Sequence, residues 1–168
     1  MPQIESAKGV QNIFKIVSRK RDPERVFTAA FGAADYTLDL GIKMTKAGVE
    51  LHYARSRIPV ACRAAEVAPP IDSPFMLDLK DLEALKAEAL FAKQMGFQGK
   101  LCIHPSQIEP CNTVFSPDPD EIEYAKKVIE AYEEAEAKGL GVIQLEGKMI
   151  DYPIVERSRR ILKLAALF

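Results

Sequence analysis

The chain has no tryptophan, two histidines and three cysteines, and these scarcities exclude several classes of protein. Cys62, Cys102 and Cys111 are odd in number and never fall at C-x-x-C spacing, so neither a disulfide framework nor a zinc site is indicated. A net charge of −1 gives no basic footprint for nucleic acid or an anionic membrane. No apolar run reaches the roughly 18 residues that cross a bilayer. The first residues, MPQIESAKGV, lack the charged and apolar regions of a signal peptide. GxGxxG, Walker A, HExxH and GxSxG motifs are missing as well. The expectation is a cytoplasmic protein with reduced thiols, with neither nucleic acid nor membrane as a partner.

What is present is an ordinary globular composition, 48% hydrophobic and 28% charged over 168 residues, enough for a real core. The pattern alternates strands and helices. Pro2–Glu5 ends a short strand, and Val10, Ile13, Phe14 and Val17 then recur at helical spacing. After a turn at Asp22-Pro23, Val26–Phe31 reads as a buried strand ended by Gly32. A long helix is expected from Thr45 to Val67, kinked or split at Pro59. Ile71–Leu77 is a third strand, Asp81–Met95 a helix capped by Gly96, and Lys100–Ile103 a fourth strand ending at His104-Pro105. A helix over Glu121–Lys138, a short strand over Val142–Leu145, a loop over 147–153 and a helix over Ile154–Leu167 complete the chain. The order is βα repeated four times with a short tail, which implies a parallel sheet with right-handed crossovers. No linker or low-complexity segment divides it.

Chemistry in parallel α/β folds collects at the C-terminal ends of the strands. Glu5, Asp35, the Asp72–Asp78 region and His104 occupy such ends. Glu5 and Asp35 follow successive strands, which lie about 5 Å apart. Their carboxylates can converge on one hard cation, and magnesium is typically held by one or two carboxylates plus waters and substrate. The competing reading makes Glu5 a frayed terminus and Asp35 a helix cap. Asp39 is an alternative ligand or a cap, and His104 a substrate contact or a hydrogen-bonded structural histidine. Arg55 and Arg57 read as a solvated helix face, and Asp151 as a turn residue capping the last helix.

Several segments, in order, resemble the citrate lyase β-subunit-like family of the HpcH/HpaI aldolase/citrate lyase superfamily. They include Ile4–Val10, Phe31–Gly41, Tyr53–Ile58, Pro70-Ile71-Asp72, Gly96–Pro105 and Gly147–Pro153. The resemblance implies the C-terminal half of a (β/α)8 barrel, residues 1–140, with a C-terminal extension, 141–168, that reaches a neighbouring subunit. It implies Mg2+ on Glu5 and Asp35 and a catalytic acid–base role for Asp151. The activity it implies is a lyase or thioesterase acting on citryl- or malyl-type thioesters of CoA or acyl carrier protein. An aldolase on free keto acids and a non-catalytic half-barrel are the rival readings. The family's first four strands and its substrate-binding arginine have no counterpart here, and Pro59 interrupts a helix that the family continues. Assembly as a homo-oligomer, or with a missing N-terminal half, is therefore expected. Half a ring exposes either Phe27, Ala29 and Phe31 or Val26, Thr28 and Ala30.

Overall fold

The computed structural model describes residues 1–18, 27–137 and 139–166. The expected turn at Asp22-Pro23, the strand start at Val26 and the helix ends at Lys138 and Leu167 fall outside the described residues. The chain divides into two compact units, 1–115 and 116–168. The second unit groups the helix over Pro119–Glu136 with the C-terminal segment.

The first unit carries a four-stranded parallel sheet in the order β1 (Gln3–Ile4), β2 (Ala30–Phe31), β3 (Ile71–Asp72), β4 (Gly99–Lys100). Its helices are α1 (Ala7–Val17), α2 (Ala33–Asp39), α3 (His52–Ala64), α4 (Leu82–Met95) and α5 (Ile108–Phe115). The parallel α/β reading holds, with strands shorter than expected. Sequence periodicity misses α2 and α5 because both are short; α5 also has Pro110 in its first turn, where no backbone N–H is needed. The long helix begins at His52, after a 3-10 turn over Val49–Leu51, and runs through Pro59 without dividing. Pro59 packs on the far end of α4. A Cβ on Gly96 would come within 3.2 Å of the Pro59 ring, and Gly96 sits at φ +102°, so glycine is needed there twice over.

Ile4 and Phe31 pack with Val10 and Ile13 of α1 and Ala54 and Ile58 of α3 in one buried cluster. Side chains alternate along a strand, so the other sheet face carries Gln3, Ala30, Ile71 and Gly99, which share one rung. This rung of the face without helices therefore carries one large apolar side chain, Ile71, beside a glutamine and two small residues, less than the apolar layer expected. Ala29 and Phe31 are buried, as are Thr28 and Ala30, and among the described residues of that strand only Phe27 is strongly exposed.

One group of charges lies inside. Arg55 of α3 is fully buried, against the expectation of a solvated face. Its Nε and Nη2 grip Asp72 of β3 at 3.1 and 2.9 Å, and Nη2 also lies 3.3 Å from Glu88 of α4. Lys100 of β4 bridges the same two carboxylates at 2.7 and 2.6 Å. Asp72 and Glu88 hold the Arg55 guanidinium above its ordinary pKa, outweighing the effect of burial. Arg55 occupies the apolar stripe of its helix, beside Leu51, Ala54 and Ile58. That position, not its residue type, is the signal in the sequence.

The second unit packs α6 (Pro119–Glu136) against α7 (Tyr152–Ala165) and an antiparallel hairpin of β5 (Ile143–Leu145) and β6 (Lys148–Ile150). The hairpin replaces the expected loop. Its two-residue turn, Glu146-Gly147, takes φ +49° and +77°, as a primed turn demands. Val128, Tyr132, Ile150 and Val155 form its core.

Two predictions follow from this packing. Breaking the quartet by Asp72→Ala strands two buried cations and should cost about 3–5 kcal/mol in urea unfolding; a fourfold replacement by apolar residues of similar volume should cost less. A single substitution within 1 kcal/mol of wild type would remove the quartet from its place in the fold. The thiols give the second. Burial pushes Cys62 up to about 11, and burial followed by the neighbouring Cys102 thiol pushes Cys111 up to about 12, whereas Cys102 is exposed. At pH 8 a thiol reagent should label Cys102 and leave the other two at least tenfold slower. Because both buried thiols keep their protons longer in the folded state, the stability they lend is whole below pH 9. For Cys62 it should drain away between 9 and about 11, which a pH series of melting curves reads.

Candidate active site

The sheet's parallel register decides which side chains meet. Ile4 pairs with Phe31, so Glu5 stands beside Gly32, and the Gly32 N–H donates to the Ile4 carbonyl at 2.9 Å. Glu5 is half-buried and follows a paired strand, so it is not a frayed end. Its side chain lies across Gly32. A Cβ there would be 2.8 Å from Glu5 Cβ and 2.9 Å from Glu5 Oε2, which is why this position admits only glycine. Gly32 is also the N-cap of α2, so Asp35 is not that cap; it lies in the helix's first turn, exposed. The β1–β2 pairing thus sets Glu5 beside the Gly32 cap, with Asp35 in the first turn of the helix that Gly32 starts, and neither carboxylate is engaged in a hydrogen bond or ion pair among the described residues.

The other candidates are engaged locally. Asp39 Oδ2 accepts from the Ala7 N–H at 2.8 Å, so it caps the start of α1, the helix directly after Glu5, and not the one that follows it. His104 is exposed at the far edge of the sheet. Its Nδ1 lies 2.7 Å from Ser106 Oγ and accepts from Ser106 N–H at 3.2 Å, holding the turn that Pro105 begins. Asp151, on the second unit, is the N-cap of α7, but its Oδ1 is 3.4 Å from Ile154 N, beyond the usual range for a hydrogen bond.

A divalent cation fits Glu5 and Asp35 by donor type: two oxygen anions, with the remaining positions left to water and substrate. Among the described residues no group of three or more His, Cys, Asp or Glu side chains gathers. Ser73 escaped sequence reasoning. It follows Asp72 at the end of β3, and its Oγ is buried without a hydrogen-bond partner.

The HpcH/HpaI aldolase/citrate lyase family model matches residues 1–105. The citrate lyase subunit beta of Leuconostoc mesenteroides subsp. cremoris is 43% identical over 165 residues, which are 98% of this chain and 53% of that protein. Mouse mitochondrial citramalyl-CoA lyase is 32% identical, over 98% of this chain and 50% of its own length. Among solved structures, protein CitE from Mycobacterium tuberculosis in complex with magnesium, acetoacetate and coenzyme A superposes with a TM-score of 0.78 at 28% identity, covering 98% of this chain and 60% of that one. The chain spans about half the length of the curated relatives it matches. By the family match and by these likenesses, the chain belongs to the HpcH/HpaI aldolase/citrate lyase family.

Proposed function

We propose that this chain supplies the magnesium-binding half of a (β/α)8-barrel lyase that cleaves citryl- or malyl-type thioesters of CoA or an acyl carrier protein. The observation that carries the reading is the pair of unengaged carboxylates, Glu5 after β1 and Asp35 in the first turn of the helix after the neighbouring β2, with Glu5 laid across a glycine. The names of the relatives, and the magnesium and coenzyme A in the M. tuberculosis complex, support the same chemistry.

Glu5 and Asp35 hold the metal, which when bound supplies a Lewis acid at a substrate oxygen. Through that metal, Glu5 and Asp35 would orient the oxygens of the small acid at the carboxyl end of the sheet. Asp39 keeps the β1–α1 junction in place through the Ala7 N–H, so the Glu5 backbone cannot swing away. Carbon–carbon cleavage leaves negative charge on the thioester enolate, which needs a nearby cation. Arg55 and Lys100 are committed to Asp72 and Glu88 on the helix side, so that cation comes from the remainder of the enzyme. Asp151 of an adjacent subunit moves the proton. Its long contact to Ile154 N leaves it readily released from its cap. The outer strands β1 and β4 present open edges for the strands that complete the ring.

Calorimetry with magnesium tests the metal pair. Glu5→Gln with Asp35→Asn should abolish binding that the wild type shows, and equal affinity in both proteins removes the assignment. For Asp151, asparagine caps a helix as well as aspartate. In a complete, oligomeric enzyme Asp151→Asn should therefore leave the melting temperature unchanged while lowering turnover by about 10²–10⁴-fold. Full turnover in the folded variant would reduce Asp151 to a cap.

A further inference from the structure

Four residues share one rung at the carboxyl end of the sheet: Glu5, Gly32, Ser73 and Leu101. The pairings of Ile4 with Phe31, Ala30 with Ile71 and Asp72 with Lys100 fix it, and the Leu101 N–H donating to the Asp72 carbonyl at 2.9 Å carries the ladder to this level. Asp72 points to the helices, where Arg55 of α3 and Glu88 of α4 surround it. Alternation therefore turns Ser73 to the opposite face, the one that carries Glu5.

Ser73 is 1% exposed, and among the described residues its Oγ is the one buried side-chain nitrogen or oxygen without a hydrogen-bond partner. An orphaned buried hydroxyl costs about 1–3 kcal/mol, so such groups call for an explanation. Gly32 stands between Ser73 and Glu5 on the rung, and the Glu5 carboxylate leans into the space its absent Cβ leaves. The Ser73 strand lies one strand spacing beyond, roughly 4.8 Å. A carboxylate and an unsatisfied hydroxyl thus stand on the strands either side of Gly32, on one face of the sheet.

Resting on the function proposed above, we infer that Ser73 is a substrate-binding residue: its hydroxyl donates a hydrogen bond to an oxygen of a small carboxylic or keto acid seated above Gly32. The free chain leaves that donor unmatched, and binding satisfies it.

The test uses the full chain and oxaloacetate as probe, titrated by calorimetry in excess magnesium, with melting curves taken without ligand. Ser73→Ala should weaken oxaloacetate about tenfold, the loss expected for a hydrogen bond to a charged oxygen. It should leave magnesium affinity unchanged and the ligand-free melting temperature equal or higher, because no bond is lost. Glu5→Gln serves as the control for the metal reading and should lose magnesium. Unchanged oxaloacetate affinity in Ser73→Ala, with Glu5→Gln still impaired, overturns the inference and spares the metal pair. A lowered melting temperature with unchanged affinity also overturns it, in favour of a bond internal to the fold. No oxaloacetate binding by the wild type overturns both readings together.

Discussion

The buried quartet of Arg55, Asp72, Lys100 and Glu88 sets the geometry on which the site depends. Two cations and two anions cancel, and each charge meets two opposite ones at 3.3 Å or less. Removing four charges from water is expensive, and an apolar cluster of equal volume is often as stable or more so. What the charges add is directional. Lys100 and Asp72 lie opposite each other on adjacent strands, and Arg55 and Glu88 reach them from two different helices. A one-residue slip of β3 would turn Asp72 to the open face and bring Ser73 or Ile71 under the helices. Two buried cations would lose a partner in that state. The quartet therefore holds β3 in the register that aims Ser73 at the rung of Glu5.

Much of the architecture was legible, because it rests on local signals. Alternating apolar runs and helical stripes mark the first unit, and Gly96 marks the end of α4 by its positive φ. Strand ends pointed to Glu5 and Asp35 without any knowledge of side-chain positions. The illegible parts share a physical cause: they depend on partners distant in sequence. Arg55 reads as a surface arginine until Asp72, 17 residues on, and Lys100, 45 residues on, fold around it. Asp39 reads as a cap for its own neighbourhood, but the N–H it meets belongs to Ala7, 32 residues earlier. The hairpin of the second unit was hidden by the same habit of reading. Glu146-Gly147 is a turn pair, but Lys148–Ile150 is too short and mixed to declare itself a strand until Ile143–Leu145 pairs with it.

Under the function proposed above, Asp151 of the second unit would meet a structural and a chemical demand at once. As the N-cap of α7, Asp151 sits where the helix dipole favours its negative charge. The next residues are Tyr152 and Pro153, which start the helix without needing a bond from the cap. The contact to Ile154 is long, and one carboxylate oxygen remains unbonded. A tighter cap would hold the carboxylate more firmly and make it a poorer proton carrier, because leaving its donor would raise the barrier to transfer.

The open face of the sheet completes the argument, because its chemistry changes with height. The lower rung carries Gln3, Ala30, Ile71 and Gly99, three of them small or apolar and close enough that Ile71 Cδ1 lies 3.2 Å from where a Gly99 Cβ would be. The rung above carries Glu5, Gly32, Ser73 and Leu101: a carboxylate, a gap and a hydroxyl, with one apolar side chain at the β4 edge. Barrel interiors are filled by layers of side chains from alternate strands, and reactive groups come only where the layers end, at the carboxyl side. In the barrel proposed above, the lower rung would be covered by an opposite wall and the upper one would face the ligand. Gly32 marks the change: a side chain there would displace Glu5, and its absence makes room for the Glu5 carboxylate where the packed layers stop.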